Sequence, residues 1–448
     1  MIIPPAQNLT RALQTGRGCA MMGASMKKER GITLDFRNIL ENSKSKLNAY
    51  ADFAVDGITH ICKEFGPRAC GSDSERKAQE YMGEMLKNYA DSVTRETFEA
   101  HPDAFMAFVP IAGGLLLSST ACNLIGAFKK NKLPIASVGM LGTALAAMIG
   151  EFALYREPLD PLFKKAESGN IIAVRKATGE TKRRIIISGH TDSAPEWTYT
   201  YKFGSKGVVS VAGYAVAGLV YDMVSTAVSL AGKNDCLKKK LALGQLAFAP
   251  AFAGLFAFTN SKRYVDGASD DLSGCYVANS VIKFLADNDV RFENTEVIAL
   301  LAGGEECGLR GCKAFFKAHP EMANDGVETM FAGFDTVRDG EFMEIYTKDM
   351  NGLVKTDIDA CTLVQKAAAK CGKDVPFGSI PLGSCDAAAA AQAGVAAASF
   401  VAMDPAPARY YHTRLDTADN LCPETIEKGI EIALQTVFDF DENGLGKK

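Results

Sequence analysis

The chain has 448 residues, enough for one large α/β body or two ordinary domains. Hydrophobic residues make up 47% and charged residues 23%, with a formal net charge of -4, which excludes general disorder and the basic footprint of a nucleic-acid binder. Its 12 cysteines are scattered without a CxxC pair and read as reduced structural thiols, and its 5 histidines are few enough that each one in a motif is informative.

Residues 1–45 mix Gly, Arg and Lys without periodicity and read as a poorly ordered extension, with no run suited to a signal peptide and Met26 as a candidate initiator. From Lys46 the pattern is helical: Leu47, Tyr50, Phe53, Ala54, Ile58 and Ile61 share a face, and the turn Phe65-Gly66-Pro67-Arg68 follows. A second amphipathic helix runs from the Ser72-Asp73-Ser74 cap to Leu86, and 92–98 alternates as a strand. Further strands are expected at 170–174, 184–188, 297–301, 329–334 and 397–401, with helices at 271–285, 309–318, 354–369 and from Glu424. Strands alternating with helices predict a three-layer αβα fold around a central, mostly parallel mixed sheet.

Two stretches break that rhythm. Residues 104–128 are uncharged, a basic loop with Lys129, Lys130 and Lys132 follows, and 133–150 are again uncharged. The arrangement recurs as 207–230, interrupted by Asp222, a connector with Lys233, Lys238, Lys239 and Lys240, and then 241–260. Each run is long enough to cross a bilayer. The expected organisation is therefore one catalytic domain over 46–448, interrupted by hydrophobic helical hairpins at 104–154 and 207–260. Burial as cap helices of a soluble protein is the competing reading, since Pro110, Pro134, Glu151, Asp222 and Pro250 weaken the apolar signal.

Five segments offer metal-binding chemistry. An apolar strand ends in Ser188-Gly189-His190-Thr191-Asp192, where a sheet's carboxyl edge would present His190. Asp266-Gly267-Ala268-Ser269-Asp270-Asp271 puts adjacent carboxylates at a helix start, with small residues that permit close approach. Gly303-Gly304-Glu305-Glu306-Cys307-Gly308 follows another apolar strand and supplies two glutamates, a ligand and a separate general base. Asp335 ends a third strand, and Tyr410-Tyr411-His412-Thr413 stands in a polar loop before the last helix. Helix capping would explain any one of these alone; the ordered set argues for a metal centre.

In this order the motifs resemble the co-catalytic di-zinc aminopeptidases, a family that includes bacterial leucine aminopeptidases and glutamate carboxypeptidase II, with glutaminyl cyclase as a one-zinc relative. The resemblance spans about Lys46 to the C-terminus, takes in Gly66-Pro67-Arg68 with Gly71-Ser72, and omits both hairpins. It implies one Zn²⁺ held by His190, Asp270 and Asp335 and another held by Asp270, Glu306 and His412, with Asp270 bridging. Glu305 falls on the general base, Asp192 on the partner that orients His190, and Tyr411 on a residue that polarises the substrate carbonyl in some members. The implied reaction is hydrolysis of the N-terminal peptide bond of short peptides, with a zinc-activated water losing its proton to Glu305. One departure stands out: Ser384-Cys385-Asp386-Ala387 replaces a Ser-Asp-His pattern, which removes a polar role at Ala387, and Cys312 replaces a usual serine. The rival readings are a glutaminyl-cyclase-like acyltransferase and a catalytically silent receptor module on the same fold. Multi-pass attachment to a lipid bilayer is expected, with the side of the catalytic domain undecided and a cytoplasmic, soluble protein as the alternative.

Overall fold

The computed structural model describes residues 46–446 other than Pro381 and Pro407, together with Ile39 and Ser43. The expected N-terminal extension otherwise lies outside the described residues. In chain order the body opens with α1 (Leu47–Glu64), α2 (Asp73–Leu86) and β1 (Ser92–Ala100), followed by α3 (Phe108–Lys129) and α4 (Pro134–Ala147). Next come β2 (Ala166–Arg175), β3 (Arg183–His190), β4 (Pro195–Trp197), α5 (Thr198–Ala231), α6 (Asp235–Gly244), α7 (Ala249–Gly254) and β5 (Thr259–Tyr264). Then follow α8 (Ser273–Asp287), β6 (Thr295–Ala302), α9 (Arg310–Ala318), α10 (Glu321–Asn324), β7 (Glu328–Val337), β8 (Met343–Asp349) and β9 (Val354–Lys355). The chain closes with α11 (Ile358–Lys370), β10 (Phe377–Ser379), α12 (Asp386–Gln392), β11 (Ala396–Ala402) and α13 (Pro423–Asn443).

The local reasons are ordinary. In α1 the i, i+3, i+4 spacing buries Tyr50, Ala54, Ile58 and Ile61, and the Ser72 hydroxyl caps α2 by accepting from the Glu75 amide. Among the described residues the main sheet runs β1-β2-β6-β3-β7-β11-β8-β10, with β9 beside β8. Its centre, β6-β3-β7-β11, is parallel, whereas β1 and β2 join antiparallel on one side and β8 on the other. Both faces of the central strands are covered, which is why Ile185–Ile187 and Val297–Ala302 read as unbroken apolar runs. Helices α1, α2, α8 and α13 cover one face, and α9 and α12 the other. The mixed, mostly parallel αβα sheet is the architecture expected from the sequence.

Differences are local. Instead of one helix over 354–369, Val354–Lys355 pairs with β8, and the helix starts at Ile358 because the Asp357 carboxylate accepts from the amides of Asp359 and Ala360. The second hairpin's outgoing helix begins at Thr198, ahead of residue 207, and bends at Gly204 (φ 65°). Its return leg is broken into α6 and α7 around Pro250 and ends in strand β5, so residues 259 and 260 are extended rather than helical.

The two hairpins pack on each other as one bundle, α3 touching α4, α5, α6 and α7. Its surface is apolar, and its interior joins an apolar cluster of Leu116, Leu141, Leu219, Phe252 and Leu255 to a polar seam. Ile125, Phe128, Val138, Val209, Val216, Val220 and Phe256 are exposed, while Ser119, Asn123, Ser137, Asp222, Thr226 and Gln245 are buried between the helices. The Asp222 carboxylate accepts from Ser119 Oγ at 3.0 Å and Asn123 Nδ2 at 2.8 Å, and also from Gln245.

Candidate metal centre

The parallel register lays His190 beside Ala302, so the carboxyl ends of β3 and β6 meet, and β7 delivers Asp335 on the other side of β3. Glycine makes this convergence possible at two places. A side chain at Gly274 would stand 1.9 Å from the Phe334 carbonyl oxygen, so only glycine lets α8 approach β7. Gly304, with φ 62°, turns the chain so that Glu305 and Glu306 face the sheet edge.

Asp270 lies between the two imidazoles. His190 Nε2 is 3.2 Å from its Oδ1, and His412 Nε2 is 3.1 Å from its Oδ2. His412 Nε2 is also 3.3 Å from Glu306 Oε1, and His190 Nε2 is 3.9 Å from Glu305 Oε2. Ligand atoms of His190, Asp270 and Glu306 lie within 4.8 Å of one another, as do those of His190, Asp271 and Asp335. All five expected ligand positions and Glu305 therefore share one buried cluster. Asp271 enters the second group, but its carboxylate already accepts from the amides of His190, Gly274 and Thr336 and is committed to the backbone.

Asp192 is fully buried. Its Oδ1 is 3.5 Å from His190 Nδ1, and its two oxygens accept from the amides of Glu305 and Glu306 at 2.9 and 3.1 Å. The orienting role expected toward His190 is thus joined by a second one, fixing the glutamate loop. Tyr411 stacks flat on His412, ring centroids 3.9 Å apart, and burial among the site carboxylates pushes its phenol well above the ordinary value.

The electrostatics call for a cation. Burial raises Glu305 well above the ordinary carboxylate range, and the charges of Glu306, Asp386 and Asp335 add to that rise. Burial works against charged imidazoles, yet the Glu306 and Asp270 carboxylates push His412 up to about 10. In the same way hydrogen bonds to Asp192 and Asp270 outweigh burial and hold His190 well above its usual value. Protons on the two histidines offset part of a dense set of acids, and a divalent ion supplies more charge and releases those protons. Asp270 Oδ2 and Glu306 Oε1 are buried without a hydrogen bond although both crowd His412 Nε2, which is how metal ligands converge. Imidazole and carboxylate donors of this kind fit zinc.

Several site residues carried no assigned role in the sequence. Arg68, fully buried, donates Nε–H to the Thr191 carbonyl at 2.7 Å and Nη2–H to that of Gly267 at 3.0 Å, fastening the His190 loop to the Asp270 loop. Asp416 accepts from the amides of Ser269 and Asp270. Trp197 donates its amide to the His412 carbonyl at 2.8 Å and sets its ring edge-on to that imidazole. Asp386 is buried with neither carboxylate oxygen paired, and burial pushes it up to about 7. Its place beside Glu305 and Asp335 was signalled only by the broken Ser-Asp-His pattern.

Residues 254–437 match the profile of Peptidase family M28. That segment resembles the M28 peptidases. That stretch includes Asp270, Glu305, Glu306, Asp335 and His412, whereas His190 and Asp192 precede it. The family resemblance read from the motifs is therefore borne out, and a zinc metallopeptidase is the class that the M28 match and the donor set support. Solved structures share the fold. A zinc aminopeptidase from Bacillus subtilis is 14% identical with a TM-score of 0.52, covering 87% of this chain and 94% of its own. An aminopeptidase from Aneurinibacillus sp. strain AM-1 is 16% identical at a TM-score of 0.52, with 88% and 95% covered. A glutaminyl cyclase from Fimbriiglobus ruber is 12% identical at 0.51, with 87% and 95% covered. No curated protein matches the sequence.

Proposed function

We propose that this protein is a two-zinc aminopeptidase for short peptides, anchored in a bilayer by its two hairpins. The observation that carries the catalytic reading is Asp270 standing between His190 and His412, with Glu306 and Glu305 against the same imidazoles. One ion would be held by His190, Asp270 and Asp335 and the other by Asp270, Glu306 and His412. Zinc bound there supplies Lewis-acid activation of a water and of the scissile carbonyl. Glu305 is placed beside the ligands without being needed as one, so its carboxylate takes the attacking water's proton and returns it to the leaving amine. Asp192 keeps Glu305 and Glu306 in position through their amides, and Tyr411 braces His412 and would polarise the carbonyl. The membrane reading rests on the bundle's apolar surface: four helices among the described residues are long and apolar enough to span, and no more than 33% of each apolar window is buried inside the protein.

A panel of aminoacyl and N-blocked dipeptide substrates, assayed with and without chelator, tests the reading. Chelator-sensitive release of the N-terminal residue from unblocked substrates is expected. Activity confined to N-terminal glutaminyl substrates, with cyclised product, would transfer the site to acyl transfer.

A further inference from the structure

Both hairpins are rooted on the catalytic centre itself. The first leaves through Phe105, which packs in one cluster with Cys307 and Leu309 of the glutamate loop. Its return is bolted to α9, which follows that loop: Arg310 holds Asp160 through two bonds of 2.7 and 2.8 Å and pairs with Glu157, and Lys313 donates to the Tyr155 carbonyl. The second starts at Trp197, against His412, where Glu196 is clamped by Arg414 and Arg414 in turn lies over the Tyr201 ring at 4.1 Å. Its return strand β5 pairs with β4 and runs into the loop bearing Asp270. The bundle and the metal centre thus share the carboxyl edge of the sheet, where an α/β fold opens to its ligand.

The base of the bundle is also chemically suited to a lipid surface. Arg156, Lys202, Lys206, Lys262 and Arg263 are exposed there, while the nearby acids Glu157, Asp160 and Glu196 are already engaged by Arg310 and Arg414. Exposed Asp103 near Tyr264 offsets part of this charge, and the remaining basic collar, beside helices long enough to span, attracts anionic headgroups. Phe203, 66% exposed, extends the apolar surface of α5 to within a few residues of Trp197.

We propose that the substrates are peptides held at the bilayer by an apolar or lipidated segment, whose amino terminus reaches the metal centre across this basic, aromatic base. The proposal rests on the peptidase reading above and narrows it to a substrate class. A site at the root of spanning helices serves tethered peptides with short spacers best, because a longer flexible spacer dilutes the amino terminus away from the surface.

The test uses the full-length protein in vesicles of phosphatidylcholine with phosphatidylglycerol and one aminoacyl peptide in three forms: without a tail, and with a palmitoyl tail on spacers of about 4 or about 20 residues. Turnover of the short-spacer form about tenfold above the long-spacer form is expected, since effective concentration falls roughly as the three-halves power of spacer length. Replacing Lys202, Lys206, Lys262 and Arg263 by Gln should lower the ratio of tethered to tail-free turnover. Equal rates for tail-free and short-spacer peptides, or a preference for the long spacer, overturn the proposal while leaving the peptidase reading intact. No turnover of any form overturns both.

Discussion

At the scale of single residues the assignment separates two neighbouring glutamates. Glu305→Gln is expected to retain bound zinc and to lose about 10²–10⁴-fold in turnover, the usual range for a positioned general base. Near-normal turnover in that variant would remove Glu305 from proton transfer. Glu306→Ala and His412→Ala should instead give up metal together with activity, and unchanged metal content in either would show that the ligand set is drawn wrongly. Arg68 makes a different kind of prediction, because its guanidinium donates to backbone carbonyls of the two ligand loops. Arg68→Ala should lower unfolding stability by about 3 kcal/mol, as several charge-assisted hydrogen bonds are lost and buried acceptors left empty; a change within noise in denaturant titration would contradict the stapling role. The ligand positions were legible because each follows an apolar strand or a glycine turn in its own short stretch of sequence. Trp197, Arg68 and Asp386 were not assigned roles, since each acts on residues far away in the chain and depends on packing that no local pattern encodes.

Elements built from unbroken apolar strands or from period-3.6 patterns were the most legible, and those at sheet edges the least. The central strands β3, β6, β7 and β11 read clearly because two-sided burial demands mostly apolar runs, whereas β4, β8 and β10 are short or mixed and owe their pairing to neighbours. The hairpins announced themselves by length and lack of charge, but the polar seam at their centre did not, because Asp222 read simply as a flaw in an apolar run. In the folded bundle it ties α3 and α5 to the stretch that follows α6. Asp222→Ala should therefore lower the thermal stability of the protein in detergent by about 1–2 kcal/mol, a few interhelical hydrogen bonds at their usual membrane worth. Val216→Ala, on the exposed face, should change it little, and equal effects of the two would deny that the polar seam holds the helices together.

At the scale of the whole molecule, an αβα body carries a helical bundle with an apolar surface at the sheet edge that holds the candidate metal centre. On the proposed bilayer reading, the full-length protein is expected to sediment with membranes and to be released by detergent but not by high salt, because apolar helices of spanning length would carry the attachment and the basic collar would add only a screened contribution. A monodisperse protein in the high-speed supernatant without detergent would make the hairpins cap helices and end the membrane reading. The claim on which everything else depends is nevertheless the metal centre. Zinc per chain in the purified full-length protein, measured by plasma mass spectrometry, tests it most directly: about two ions per chain are predicted, from one bridging carboxylate between two histidine-bearing sites, and a protein that carries no zinc after purification in zinc-supplemented buffer would contradict the account.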